Sequence, residues 1–170
     1  WDDMLLDLFN VTPSSLAKVV DSNSFFGEYK GIPIISVLAD SQASLYANKC
    51  LSKGQAKATL GTGCSIMVNA GPINLGNYET LVETIAWRNS DGSEYAIEGV
   101  IRSMSDTLEW ASKELELFDS VENEIRNYTS LNSNGVMVIP GQLGLGTPYW
   151  NTDSKASIHN MTRNNTKKDI

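Results

Sequence analysis

The stretch from Gln55 to Ile101 constrains this chain most, because its period is that of β-strands and it breaks only at turn chemistry. QAKATL and SIMVNA flank a glycine-rich turn, LGTGCS at residues 60–65. LVETIAWRN and SEYAIEGVI flank Ser90, Asp91 and Gly92, an Asp-Gly hairpin signal. Two hairpins in succession predict a sheet, and with the helices that follow, the run from Gln55 to Pro140 holds enough structure to enclose a core.

Helical periodicity surrounds the hairpins. WDDMLLDLF places Met4, Leu5, Leu8 and Phe9 on one face, and Thr12 before Pro13 reads as an N-cap to a short helix over SSLAKVV. IPIISVL is a continuous apolar run of the kind found in a strand covered on both faces. Asp40 follows at an N-cap position, and Lys53 with Gly54 predicts the end of that helix. A further helix is expected from Ser105 to Phe118, with Leu108, Ala111, Leu115 and Phe118 at helical spacing. VENEIRNYTSL predicts another helix, VMVIP a buried strand, and the remainder mostly loop. The pattern is α/β, and a boundary is expected near Lys53, where helix gives way to strands.

Charge removes several function classes. Thirteen basic against twenty acidic residues leave a net charge of −7, which argues against nucleic acid or an anionic membrane surface as partner. No apolar run approaches the length of a membrane span and no signal segment opens the sequence, so a cytoplasmic location is the expectation. The cysteines, Cys50 and Cys64, read as free thiols, and neither stands in metal-ligand spacing with His159.

Chemistry must then rest on Asp40 and the LGTGCS turn. The turn has two readings. Gly61 and Gly63 supply the positive φ of a tight hairpin, or Gly61, Thr62 and Gly63 let backbone N–H groups and a hydroxyl approach a phosphate. Asp40 likewise reads as a helix cap or as a catalytic carboxylate between strand and helix. GQLGLG has the wrong spacing for a dinucleotide fingerprint, and the aromatic pair in TPYW reads as loop packing.

LADSQASLYANKC, then KATLGTGCSIMVN, TIAW, YAIEG, a helix containing Trp110, and IPGQLGLGTPYW form an ordered set. That set resembles the FGGY carbohydrate kinases, with order and spacing most like their glycerol kinase branch. The resemblance implies an actin-like, ribonuclease H-like fold with a mixed sheet and flanking helices, the active site lying between two lobes. It implies an internal fragment across their junction, with residues 1–52 ending the first lobe and 53–170 opening the second. Activity would be transfer of the γ-phosphate of ATP, with Mg²⁺, to a hydroxyl of a small sugar or polyol; association of identical copies stays open. Asp40 would match the polyol-binding aspartate and general base, and Gly61, Thr62 and Gly63 the hairpin that holds the ATP phosphates. A carboxylate at a helix N-terminus is expected to stay ionised, as such a base requires.

The departures alter the substrate wall while the phosphate hairpin and the base are kept. Ser41 replaces a glutamine and Ser65 an aromatic residue, both at positions that line the family's polyol site. Ser105 replaces a nucleotide-contacting glycine, Glu109 a glutamine, and PYWNTDSKA carries Asn151, Lys155 and Ala156 where the family has other residues. The pocket is therefore expected to be wider and more polar than a glycerol site. The alternative implied is an actin-like nucleotide-binding regulator or inactive kinase homologue.

Overall fold

The computed structural model describes residues 1–73, 76, 79–127 and 132–170. Its centre is a four-stranded antiparallel sheet built from β3 (Ala56–Leu60), β4 (Cys64–Gly71), β5 (Val82–Asn89) and β6 (Gly92–Ile101), in the order β3-β4-β6-β5. Both expected hairpins form. β4 then pairs with β6, which joins them into one sheet with Ser65 opposite Val100, Met67 opposite Glu98 and Asn69 opposite Ala96. The second hairpin closes as expected: Asn89 pairs with Gly92, Gly92 takes a φ of +130°, and the Asp91 N–H donates to Asn89 Oδ1 at 2.9 Å.

One face of the sheet is covered by α2 (Asp40–Ala47). Leu45, fully buried, packs in a cluster with Cys50, Met67, Ala86 and Ala96, and Trp87 closes its edge against Tyr46 in an edge-on contact at 5.3 Å. Burying a leucine contributes about 1.5–3 kcal/mol. Asn69 is buried as well and is satisfied on both sides, donating to Cys50 O at 3.0 Å and accepting from the Gly71 N–H at 2.8 Å. It pins the segment after α2 to the irregular end of β4. Cys50 and Cys64 are free and buried.

Several expectations are corrected. Asp40 is the first residue of α2, and Ala39 is its N-cap. The helix ends at Asn48 rather than at Gly54, because Asn48 Nδ2 bonds Ser44 O at 2.9 Å and Lys49 turns left-handed at φ +59°, which swings Cys50 into the core. SSLAKVV yields only a one-turn 3-10 helix over Pro13–Ser15 with Leu16 extended; Val19 is exposed, so no apolar face rewards a longer helix. IPIISVL forms a strand only over β2 (Ile32–Ile34), paired with β1 (Gly27–Tyr29) and exposed. Among the described residues no strand flanks residues 35–39, and every strand pair is antiparallel.

The terminal helix α1 (Asp3–Leu8) forms as expected, with Asp2 accepting from the Leu5 N–H, but its apolar face is exposed. α3 (Ser105–Lys113) stops short of Phe118: Glu116 adopts φ +51°, and Ser112 Oγ bonds Phe118 O at 3.0 Å, folding the chain back. α4 (Val121–Asn127) matches the first part of VENEIRNYTSL, whose last four residues lie outside the described ones. β7 (Met137–Ile139) is exposed at Met137 rather than buried, and pairs with β8 (Ser157–His159), a strand in a region expected to be loop.

A capping box closes the chain's last turn. Asp169 accepts from the Thr166 N–H and from Asn134 Nδ2, each at 2.6 Å, and the backbone bond first, then the Asn134 bond, hold its carboxyl below the usual range. A depressed carboxyl contributes stability that is present above its unfolded value and lost as pH falls through the folded one.

Candidate functional site

The turn joining β3 to β4 is three residues long, since Leu60 pairs with Cys64. Neither Gly61 nor Gly63 has a positive φ, so the expectation that these glycines supply left-handed turn conformations is not met. Gly63 is glycine for a different reason. A Cβ there would lie 2.6 Å from Ile101 O and 3.1 Å from Arg102 O, because the turn folds back onto the end of β6. At Gly61 a Cβ would meet nothing closer than Gly63 O at 3.7 Å.

Two of the turn's carbonyls are spent on the head of α3, and the third, Gly63 O, accepts from the Gly61 N–H at 2.9 Å. Thr62 O accepts from the Met104 N–H at 2.8 Å, and Gly61 O accepts from Ser105 Oγ at 2.5 Å and from the Ser105 N–H at 3.3 Å. With the carbonyls turned inward, the N–H groups of Thr62 and Gly63 and the Thr62 hydroxyl have no protein partner among the described residues, and Thr62 is exposed. Successive unpartnered N–H donors beside a hydroxyl make an anion-accepting surface. The start of α3 is not itself that surface, because Asp106 Oδ1 occupies it, accepting from the Met104 and Thr107 N–H groups at 2.8 Å each.

Asp40 and Ser41 sit at the opposite element, the head of α2. The Asp40 carboxylate is exposed, and its Oδ1 accepts from the Ser41 N–H at 2.7 Å. Gln42 reaches Thr84 on β5 and Tyr46 reaches Trp87, so α2 runs in the same sense as β5. Its head therefore points toward Val82 and the row Val82, Glu98, Met67, Lys57 that crosses the sheet. Paired residues share a face, and so do residues two apart. Lys57, Thr59, Ser65, Met67 and Glu98 consequently share the face that α2 covers.

The structure thus brings Gly61, Thr62, Gly63 and Ser105 into one group and places Ser65 two residues beyond it. Asp40 and Ser41 lie on the same face of the sheet as Ser65, although no hydrogen bond or ion pair joins them to the turn among the described residues. Two residues were missed in the sequence. Ser65 Oγ donates to Glu98 Oε1, and the buried Lys57 donates to Thr59 Oγ1 at 2.7 Å. The strand alternation carried both, but only the register between hairpins reveals that Ser65 and Glu98 meet.

The glycines of GQLGLG are close-approach glycines. A Cβ at Gly141 would lie 2.8 Å from Lys155 O, at Gly144 2.7 Å from Thr152 Cα, and at Gly146 it would overlap the Val100 carbonyl oxygen. In TPYW, Trp150 Nε1 bonds Thr80 O at 3.0 Å while Tyr149 is exposed, which is loop packing. Among the described residues no helix is long and apolar enough to cross a membrane, and no three His, Cys, Asp or Glu side chains gather as a metal site.

Residues 56–170 match the FGGY family of carbohydrate kinases, C-terminal domain. The chain is 35% identical to the glycerol kinase of Bacillus mycoides over 99% of its own length and 36% of that protein. It is 37% identical to that of Alteromonas mediterranea over 96% of its own length and 34% of that protein. Among solved structures, the Plasmodium falciparum glycerol kinase with ADP superposes with a TM-score of 0.87 at 30% identity, covering all of this chain and 36% of that one. Xylulose kinase from Lactobacillus acidophilus shares the fold at a TM-score of 0.78 and 17% identity over 99% of this chain and 36% of its own. The chain thus spans about a third of the length of the relatives it matches. The chain shares the actin-like, ribonuclease H-like fold of these kinases, and it belongs to the FGGY family of carbohydrate kinases.

Proposed function

We propose that this chain is part of an ATP-dependent sugar or polyol kinase, in which residues 1–52 end the first lobe and 53–170 begin the second. The observation that carries the reading is the Gly61–Thr62–Gly63 turn: the Gly61 and Thr62 carbonyls bond the head of α3, while among the described residues the N–H groups of Thr62 and Gly63 have no protein partner. Those donors fit the phosphates of ATP, which when bound supplies the phosphoryl group to be transferred. Phosphoryl transfer depends mainly on positioning and charge stabilisation, so a backbone cradle and one carboxylate on the acceptor hydroxyl suffice. Asp40 holds and deprotonates that hydroxyl. Mg²⁺ is commonly held by substrate phosphates, water and one or two carboxylates rather than by a protein cage. The exposed Asp40 carboxylate, with one oxygen free of protein donors among the described residues, suits such a role.

A second reading, a nucleotide-binding regulator or inactive homologue, is favoured by Ser105, which stands where the family has a nucleotide-contacting glycine and whose hydroxyl donates to Gly61 O. Phosphorylation of a panel of polyols and sugars, by a protein of the relatives' full length that carries this chain, separates the two. We expect saturable, ATP-dependent turnover, with a higher kcat/KM on a larger polyol than on glycerol, since Ser41 and Ser65 widen the pocket. ATP binding with no phosphorylated product on the panel supports the regulator. In the same protein, Thr62→Ala is expected to weaken ATP affinity several-fold without a change in Tm, because the hydroxyl has no partner among the described residues. An unchanged affinity would return the turn to a purely structural role.

A further inference from the structure

We propose that Glu98 is a specificity-determining residue that reads a hydroxyl of the substrate beyond the one phosphorylated, working as a unit with Ser65. The inference rests on the kinase reading above and names the kind of substrate its site takes, a polyol longer than glycerol. Glu98 is half-buried on β6, on the sheet face that α2 covers. One of its oxygens accepts from Ser65 Oγ, and among the described residues the other has no protein donor and the carboxylate has no ion pair. That second oxygen is not among the buried polar atoms left without a partner, so it is open to solvent, where a ligand hydroxyl can replace water as its donor.

The placement agrees with this. Gln42 lies against Thr84, and Asp40 stands two residues nearer the helix head, about 3 Å along the axis. Val82, the strand partner of Glu98, stands two residues before Thr84, about 7 Å along β5. The row holding Glu98 therefore lies just past the head of α2, on the face that carries Ser65. Ser65 donates its proton to Glu98 and so keeps its lone pairs for a ligand donor. The pair presents acceptors only, and the matching ligand group is a hydroxyl acting as donor.

The test uses a protein of the relatives' length carrying this chain, with Glu98→Gln as the variant. Glutamine keeps an acceptor for Ser65 and turns the open oxygen into an amide donor, so shape is retained, and an unchanged Tm checks that the fold is too. Probes are glycerol, the tetritols, pentitols and hexitols, and the monodeoxy analogues of the best substrate. We expect kcat/KM on the best longer polyol to fall about tenfold to a hundredfold, mainly through KM, with glycerol little changed. One monodeoxy analogue should lose a similar factor with the unmodified enzyme and lose no more in the variant. If the unmodified enzyme turns over but Glu98→Gln scales all substrates alike, or no deoxy analogue is insensitive to the change, the role of Glu98 is overturned and the kinase reading stands. If the unmodified enzyme phosphorylates nothing on the panel, the kinase reading falls, and this inference with it.

Discussion

Asp40→Asn, in a protein of the relatives' length carrying this chain, is expected to lower kcat at least about a hundredfold while ATP affinity is retained, because a general base typically contributes that much. The structure makes the substitution a clean one. Ala39, not Asp40, is the N-cap of α2, so helix initiation does not depend on the carboxylate. The bond that the Asp40 carboxylate accepts among the described residues, from the Ser41 N–H to Oδ1 at 2.7 Å, is available to an asparagine carbonyl in the same position. What is lost structurally is a negative charge in the first turn, worth about 0.3–1 kcal/mol. Steady-state kinetics with a melting curve and an ATP titration therefore isolate the proton-accepting role. Near-normal turnover would remove Asp40 from the mechanism and leave it a helix-terminal charge.

The hairpins were legible because two independent signals coincide in them: alternation along the strands and glycine-bearing turns between them. Where only one signal was present, extent and burial were misread. IPIISVL has apolar character without alternation, and only Ile32–Ile34 pair, because apolar composition says nothing about whether a neighbouring strand exists. SIH at 157–159 is too short to show a period, so β8 was invisible until Met137 to Ile139 paired with it. Gly54 looked like a helix end, yet Asn48 and Lys49 had already turned the chain; Gly54 instead donates its N–H to Asn69 O at 2.8 Å, serving the sheet.

At the candidate site, the motif marked a turn, and the structure gives its glycines a different reason. Two glycines around Thr62 suggested positive φ or ligand access, whereas Gly63 is excluded from carrying a Cβ by the backbone at Ile101 and Arg102. Side-chain identity at the turn was local and could be quoted from six residues. The Ser65–Glu98 bond joins positions 33 residues apart, on strands of different hairpins, and follows only from the β4–β6 register. Sequence alternation gives faces within one strand; register between strands is a tertiary fact set by which faces are buried together.

Gly146→Ala is expected to be the most destabilising small substitution in the chain. The segment after β7 crosses the outer edge of β6 at a single point, where the Thr147 N–H donates to Val100 O at 3.0 Å and Thr147 Oγ1 accepts from the Val100 N–H at 2.7 Å. A methyl at Gly146 would overlap that same Val100 carbonyl. The obstacle is backbone, so no rotamer change relieves it. Nor can β6 yield cheaply there, since Val100 is paired with Ser65 of β4 on its other side. Overpacking typically costs about 1–3 kcal/mol, and a clash against fixed backbone belongs at the upper end. For a domain of this size about 3 kcal/mol lowers Tm by roughly 6–12 °C. Gly61→Ala is the matched control, because its added Cβ meets only an ordinary contact at 3.7 Å and its φ is not positive, so its Tm should change by at most about 1 °C. Thermal denaturation of the two variants beside the unmodified chain reads the difference directly. Equal melting temperatures for Gly146→Ala and the unmodified chain would mean that residues 146–147 do not lie against Val100, and that the edge of β6 is held by other means.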